Sequence, residues 1–219
     1  ALPIYISPEM SNLFKAVSEA GGDMAKVDAS AFPVLNMLNT RYFIFPLQGG
    51  KTMPIQNPYT LGNAWFVDKV QYVNNANEEI ESLHKVMPAK VAVVDKKFAE
   101  QVKPVAVSDS LRFVKLVAYE PNDLKYEVSS EKGGVVVFSE IYYPGWQAYI
   151  DGVEAPHGRA DYILRAMNVP AGKHTVEFKF DPKSLHTTET IAFVALGLLA
   201  MAVLLLLVLQ GKALWGKKG

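Results

Sequence analysis

The sequence of 219 residues contains no cysteine, which excludes disulfides, a thiol nucleophile and any thiolate metal site. An excess of basic charge is missing as well, because 22 Lys and Arg residues balance 22 Asp and Glu residues. Proteins that bind nucleic acids usually carry a basic surface, so we expect no nucleic-acid partner.

Sequence motifs for catalysis and cofactor binding are also absent. No GxSxG, P-loop or GxGxxG pattern occurs, and Ser139 lies in a plain strand-like run, VVVFSEIYY. The histidines share no spacing typical of metal ligands. We therefore predict no catalytic residue, no cofactor and no metal in this chain. These histidines are His84, His157, His174 and His186.

What the sequence does contain is an unbroken apolar run at 191–209, IAFVALGLLAMAVLLLLVL. A helix of these 19 residues, at about 1.5 Å each, spans the hydrocarbon core of a bilayer. We therefore predict a transmembrane helix at 190–210. Three lysines and no acidic residue follow it. The positive-inside rule then places the tail, 211–219, in the cytoplasm and the residues before about 190 outside it.

An extracytoplasmic domain needs an export signal, and the first residues, ALPIYISPEM, have neither a basic n-region nor an apolar h-region. Either a signal peptide has been cleaved, or Ala1 is an internal residue preceded by other transmembrane segments. A tail-anchored protein ranks third, because it would have to translocate its lysine-rich tail. We favour an internal Ala1 and expect the C-terminal part of a larger protein of the bacterial cytoplasmic membrane.

The rest of the chain predicts an α+β fold. Residues 1–104 predict a mixed α/β region, in which 65–73 alternates like one strand and 49–63 predicts a loop. Residues 105–183 predict an antiparallel, jelly-roll-like β-sandwich, because short strands are separated by regular turn signals. The strands of the sandwich are expected at 111–119, 124–129, 135–140, 146–150, 162–169 and 174–180.

Two local patterns support the sandwich. Asp151-Gly152, between two short apolar segments, predicts a tight hairpin turn that needs positive φ. Val176 and Phe178 alternate with polar residues, which predicts a strand with one buried face.

The densest functional signal is the sequence YYPGW at 142–146, which is followed by arginines and an aspartate. Aromatic faces can stack on the C–H groups of sugars while Asp and Arg bind the hydroxyls, so this mixture predicts a glycan-binding surface. Alternatively, Trp146 and Tyr149 pack in the core and Pro144-Gly145 only turns the chain. The predicted glycan contacts are Tyr143, Trp146, Arg159, Asp161 and Arg165.

Four carboxylates around this cluster leave a glycan hydrolase as a further function. Glycosidases need two carboxyl groups roughly 5 to 10 Å apart across an open cleft. Turn formation already explains one of the four, and exposed carboxylates are common on sandwich edges, so we place this function last. The four are Glu140, Asp151, Glu154 and Asp161.

The segment 135–182 closely resembles the C-terminal signature of the YfhO family of bacterial multi-pass membrane proteins. Its most specific part is the ordered series YYPGW, DG, LRA and VPAGKH. Two upstream segments, VLNMLNTRYFIF at 34–45 and NPYTLGNAWFV at 57–67, resemble weaker motifs of that family. The similarity extends through most of the chain, including the apolar helix.

The resemblance implies a long protein with many membrane helices, then an extracytoplasmic C-terminal region and a last helix. Members of the family resemble GT-C glycosyltransferases, which take sugar from a polyprenyl-phosphate carrier. Some members are implicated in glycosylating cell-envelope polymers such as lipoteichoic acid. Their catalytic acidic residues lie in an early extracytoplasmic loop without a counterpart here, so no catalytic residue is carried over. The implied partners are the membrane, the transmembrane core of the same parent protein, and an envelope glycan or lipid-linked sugar.

On this basis we predict a non-catalytic domain that positions or gates an acceptor glycan during cell-envelope glycosylation. The main alternative is a structural or assembly domain that packs on the membrane core or on a partner protein. The second hypothesis expects a buried aromatic cluster, whereas the first needs exposed rings.

Overall fold

The computed structural model describes residues 8–46, 48–104 and 111–215, so 105–110 at the predicted domain boundary and 216–219 of the predicted tail lie outside the described residues. Within the described ranges the chain forms α-helices and β-strands joined by short 3-10 turns. The helices are α1 (Pro8–Glu19), α2 (Pro33–Met37), α3 (Ala76–Leu83) and α4 (Lys183–Trp215). The strands are β1 (Tyr42–Pro46), β2 (Thr52–Gln56), β3 (Ala64–Val67), β4 (Lys69–Val73), β5 (Val91–Asp95), β6 (Phe113–Glu120), β7 (Asp123–Ser130), β8 (Gly134–Ile141), β9 (Trp146–Ile150), β10 (Val153–Ala155), β11 (Gly158–Ala160), β12 (Leu164–Val169) and β13 (Gly172–Phe180).

The N-terminal part builds a small core from α1 and the antiparallel pair of β1 and β2. Leu13 and Val17 lie one turn apart on the same face of α1, and both are buried. The rings of Phe32 and Phe43 meet edge to face, with centroids 5.7 Å apart. The loop prediction for 49–63 is wrong at β2, because pairing with β1 satisfies the backbone groups of a segment rich in turn residues.

Strands β4 and β5 run parallel and are connected through α3, which makes one βαβ unit. Asn75 caps α3 by accepting a hydrogen bond from the Glu78 N–H at 3.0 Å. The prediction of one strand at 65–73 is wrong, because β3 and β4 belong to different sheets. The chain changes sheets at Asp68, whose N–H donates to the Lys90 carbonyl at 2.7 Å.

The C-terminal half forms the predicted antiparallel sandwich. One sheet has the strand order β10-β9-β13-β7-β6, and the other has the order β11-β12-β8-β3. The ring of Phe138 packs between the sheets, with its centroid 4.8 Å from those of Tyr126 and Phe178. Strand β3 comes from the N-terminal region and pairs with β8, placing Phe66 opposite Val136. Both predicted regions therefore contribute to one sheet.

The two local predictions within the sandwich are confirmed. Ile150 pairs with Val153. Between them, Asp151 and Gly152 have φ values of 50° and 81°, as a tight primed turn requires. Val176 and Phe178 are fully buried.

The chain divides into two compact units. The first contains the described residues up to Tyr143 together with Gln147–Lys179, and the second contains Pro144–Trp146 and the described residues from Phe180 onward. In the second unit, α4 includes a stretch, Ser184–Leu209, that is long and apolar enough to cross a membrane. This stretch contains the predicted apolar run.

Candidate functional site

The five predicted glycan contacts lie in different environments. Tyr143 and Trp146 are close to the turn between β8 and β9, whereas Arg159 and Asp161 are at the end of β11. Arg165 lies on β12 and points into the sandwich. Because Asp161 and Arg165 are buried, the five side chains do not form one surface.

Asp161 is fully buried and acts as a backbone partner for β5. Its Oδ1 accepts a hydrogen bond from the Val93 N–H at 2.8 Å, and its own N–H donates to the Val93 carbonyl at 2.7 Å. Asp161 and Tyr162 have left-handed φ values of 51° and 73°, which turn the chain between β11 and β12. Burial raises the pKa of Asp161 to about 8, and the Glu79 carboxylate adds to the rise, while the Val93 hydrogen bond opposes it.

Arg159 forms an ion pair with Glu79, a buried residue that the sequence reasoning missed. Its Nη2 lies 2.6 Å from Glu79 Oε2 and 3.9 Å from Asp95 Oδ2. The other carboxylate oxygen of Glu79 accepts a hydrogen bond from the Tyr162 N–H at 3.0 Å. Burial raises the pKa of Glu79, although the Tyr162 hydrogen bond and the charge of Arg159 lower it. These contacts connect α3 to the turn after β11.

The sequence holds one signal for Glu79. It lies one helical turn before Leu83 on the inward face of α3, and both side chains are buried. An acidic residue at an apolar position of an amphipathic helix indicates a buried cationic partner. The partner itself, Arg159, is 80 positions away and cannot be identified from helix periodicity.

Arg165 lies inside the sandwich. Its Nε donates to the Ile141 carbonyl at 3.0 Å, and its guanidinium lies 5.1 Å from the centroid of the Phe178 ring. Burial lowers the pKa of Arg165, whereas the nearby Glu140 carboxylate raises it. Burial raises the pKa of Glu140 in turn, and Arg165 opposes that rise. These groups contact the core of the sandwich.

The two predicted aromatic contacts differ in exposure. Tyr143 is 61 % exposed. Trp146 is partly buried, and its ring packs on Phe180 with centroids 5.4 Å apart. Tyr143 therefore presents more of its ring to solvent than Trp146 does.

Asp151 and His174 form a pair beside a surface cavity. His174 Nδ1 lies 2.7 Å from Asp151 Oδ2, and His174 Nε2 lies 3.1 Å from the Ala171 carbonyl oxygen. The second oxygen of Asp151 accepts a hydrogen bond from the Thr175 N–H at 2.8 Å. The hydrogen bond between the two side chains lowers the pKa of Asp151 and raises the pKa of His174.

The cavity, which we name the sheet-end cavity, has a volume of about 370 Å³. It lies at one end of the five-stranded sheet and beside the turn between β9 and β10. Sequence reasoning missed this site, because its residues come from four separate segments of the chain. The lining residues are Phe113, Glu127, Val128, Asp151, Lys173, His174 and Thr175.

The four carboxylates considered for a hydrolase differ in burial and in hydrogen-bond partners. Asp161 is fully buried and Glu140 is partly buried, whereas Asp151 binds His174 and Glu154 is exposed. Among the residues that the structure describes, no group of three or more His, Asp or Glu side chains is arranged to hold a metal ion.

A comparison with protein families matches residues 99–192 to the family described as bacterial membrane protein YfhO. The matched segment contains strands β6 to β13 and the beginning of α4. The curated proteins contain no significant match to the chain. The family match agrees with the ordered motifs of the sandwich and with the apolar helix that follows it. Residues 99–192 thus match the model of the YfhO family of bacterial membrane proteins, as the resemblance of the sequence implies.

Proposed function

We propose that this chain is the non-catalytic C-terminal region of a YfhO-family glycosyltransferase that acts in cell-envelope glycosylation in the bacterial cytoplasmic membrane. In this proposal the residues before α4 lie outside the cytoplasm. They form a rigid support domain that packs on the transmembrane core of the same protein. The support role corresponds to the structural alternative that the sequence leaves open.

The observation that carries the support role is that ionisable side chains form contacts inside the domain. Glu79, Arg159 and Asp161 bind one another or the backbone of neighbouring elements. A general acid or base needs hydrogen-bond access to its substrate, which these contacts deny. Polar groups held in this way stabilise one arrangement of α3, β5 and β11.

Attachment to the membrane is supported by α4. Its apolar side chains are exposed on all sides, as in Leu198, Leu199 and Met201, which are 58, 62 and 60 % exposed. A helix that is apolar on every face is suited to lipid rather than to water. The lysines Lys212 and Lys217 follow the apolar stretch and favour a cytoplasmic C-terminus.

The orientation is tested by cysteine labelling, for which this chain has no native background. Glu154→Cys and Lys217→Cys would be made singly in the full-length protein after removal of any cysteines elsewhere in it. A membrane-impermeant maleimide on protoplasts is expected to label the Glu154→Cys variant, and to label the Lys217→Cys variant only after permeabilisation. The reverse pattern contradicts the extracytoplasmic assignment, and the unsubstituted protein is the control.

The existence of a larger parent protein is tested separately by an immunoblot of native membranes with an antibody against this domain. A band several times larger than 24.1 kDa is expected. A band near 24.1 kDa would remove the catalytic core from the proposal. The chain would then be a free-standing anchored domain.

A second candidate function is glycan binding through Tyr143, because its ring is 61 % exposed. The test compares Tyr143→Ala with Tyr119→Ala, a control at a residue that is 63 % exposed on β6. A glycan contact predicts reduced envelope glycosylation in the first variant alone. Equal glycosylation in both variants contradicts it and leaves the support role. Arg159→Ala is a poor test of binding, because it also breaks the pair with Glu79.

A further inference from the structure

We propose that the sheet-end cavity binds an uncharged sugar ring of a saccharide. Its volume, about 370 Å³, lies within the usual range of small-molecule sites. None of the five predicted glycan contacts lines it. This proposal therefore gives the support domain a ligand-binding role. It does not depend on the glycosyltransferase assignment.

Strand register places the principal groups of the cavity on one face of the sheet. Phe113 on β6 and Lys173 on β13 are both opposite Ser129 of β7. Glu127 of β7 is opposite Thr175 of β13, two positions along the strands. Because side chains alternate between faces with a period of two, Phe113, Lys173, Glu127 and Thr175 share a face. Val128 and His174, which are opposite each other, lie on the other face and line the cavity at the end of the sheet.

Phe113 supplies the apolar part of the site. It is 51 % exposed, although burial of an aromatic ring is strongly favourable. It lies on β6, an edge strand of the five-stranded sheet, and its side chain lines the cavity. The phenyl ring of Phe113 suits the C–H face of a pyranose ring. The face of the phenyl ring carries partial negative charge, which attracts the polarised C–H groups of the sugar.

The charged groups of the cavity favour an uncharged ligand. Glu127 and Lys173 are both exposed and have opposite signs. Asp151 and His174 form a second pair of opposite sign when the imidazole is protonated. The two cations are matched by two carboxylates, so the cavity has no excess positive charge to favour a phosphate or carboxylate ligand. Sugar hydroxyls, by contrast, can donate to a carboxylate and accept from an ammonium group.

The Asp151–His174 pair contributes a fixed wall and not a reacting group. Both nitrogens of His174 have partners, and both oxygens of Asp151 accept hydrogen bonds. Both partners are acceptors, so the protonated imidazole donates at both nitrogens and offers no free nitrogen to a ligand. The pair also holds the turn between β9 and β10 against β13, which preorganises this side of the cavity.

The binding test uses the full chain in nanodiscs, because alkyl maltoside detergents carry sugars that would compete for the site. Saturation-transfer difference NMR would be recorded with methyl glucoside, methyl galactoside and N-acetylglucosamine, with inorganic phosphate as a charged comparison in a separate titration. At least one saccharide is expected to bind with millimolar affinity. Phosphate is expected not to compete with it.

Matched variants locate the binding. Phe113→Leu should weaken saccharide binding about fivefold to tenfold, because it removes the aromatic face and keeps an apolar side chain. Phe113→Tyr should retain binding, and Tyr119→Ala on the same strand should leave it unchanged. Saccharide binding that is equal in the wild type and Phe113→Leu overturns the proposal, as does binding of phosphate alone or of none of the probes to the folded chain. The labelling experiment on membrane orientation is unaffected by any of these outcomes.

Discussion

At the scale of single residues, Asp161 combines an acidic side chain with complete burial and a left-handed backbone. Its pKa of about 8 in the folded chain means that it keeps its proton at neutral pH, whereas the unfolded chain loses that proton near pH 4. The folded state therefore binds more protons between these values. The contribution of Asp161 to stability accordingly falls as the pH rises from about 4 to about 8.

Replacing Asp161 by Asn should remove this pH dependence. The amide keeps an oxygen for the Val93 N–H, carries no charge and tolerates the left-handed backbone. We expect Asp161→Asn to raise the free energy of unfolding at pH 8 by more than about 1 kcal/mol. The curve of stability against pH should also become flatter. Denaturant unfolding of the full chain, followed by the fluorescence of buried Trp65, measures both effects.

Asp161→Ala is the control for this prediction. It also removes the charge, but it leaves the Val93 N–H without its partner, so it should destabilise by about 1–3 kcal/mol relative to Asp161→Asn. If the two variants were equally stable, the hydrogen bond to Val93 would not contribute as described.

A second residue-scale prediction concerns His174. Its pKa is raised above 6.5 by the hydrogen bond to Asp151 and by that to the Ala171 carbonyl. This contribution to stability is complete below about pH 6.5 and is lost as the pH rises through the raised pKa. NMR titration of the imidazole should therefore give a pKa above 6.5 in the wild type and a lower value in Asp151→Asn. A pKa that is the same in both would contradict the pairing of the two side chains.

At the scale of elements, the ion pair of Glu79 and Arg159 connects α3 to β11. The carboxylate of Glu79, on the helix, is the buried partner. Glu79 is fully buried, and the side chain of Arg159 is 19 % exposed. Removing one partner of such a pair leaves an uncompensated charge, which costs more than the pair contributes.

Arg159→Ala should destabilise the chain by about 2–4 kcal/mol, because it isolates the buried Glu79 carboxylate. Adding Glu79→Gln to Arg159→Ala should recover part of that loss, since the remaining group is then uncharged. Chemical unfolding of both single variants and the double variant measures this coupling. Additive effects of the two substitutions would show that the pair does not interact energetically.

Sequence patterns correctly predicted the elements that are determined by residues close together in the chain. The hairpin at Asp151-Gly152 follows from two neighbouring residues that tolerate positive φ, and the apolar run at 191–209 is sufficient to identify a helix that can cross a membrane. The separation of β3 from β4 was missed, because alternation continues across Asp68 while the strands join different sheets. The partner of a strand is set by distant contacts, which periodicity does not contain.

The same limit explains why the predicted glycan contacts differ from the residues that line the sheet-end cavity. The YYPGW segment predicts glycan contacts because its aromatic residues are close together in sequence. Phe113, Glu127 and Lys173 come together only through the register of three strands, and no motif marks them. Burial of Asp161 and Arg165 likewise depends on β5 and on the opposite sheet.

At the scale of the whole molecule, the apolar stretch Ser184–Leu209 belongs to the second compact unit, whereas most strands belong to the first. We predict that a secreted chain ended after Pro182, which retains the first unit, is recovered in the soluble fraction. The full chain should stay in carbonate-washed membranes, and it serves as the control. The shortened chain and a Trp215→Phe full chain, which both keep Trp65 and Trp146, should give the same tryptophan fluorescence if the unit is intact. Membrane retention of the shortened chain would show a second membrane contact.

The pairing of β3 with β8 has a consequence for how the chain is made. Residues 64–67 leave the ribosome well before 135–138, so β3 has no partner until the middle of the family-matched segment has been synthesised. During that interval its apolar residues are open to chaperones and to other chains. A fragment that starts at residue 99 would never acquire this strand and would expose one edge of β8, which invites aggregation. The four-stranded sheet of the matched segment is therefore complete only when residues that precede this segment have also been synthesised.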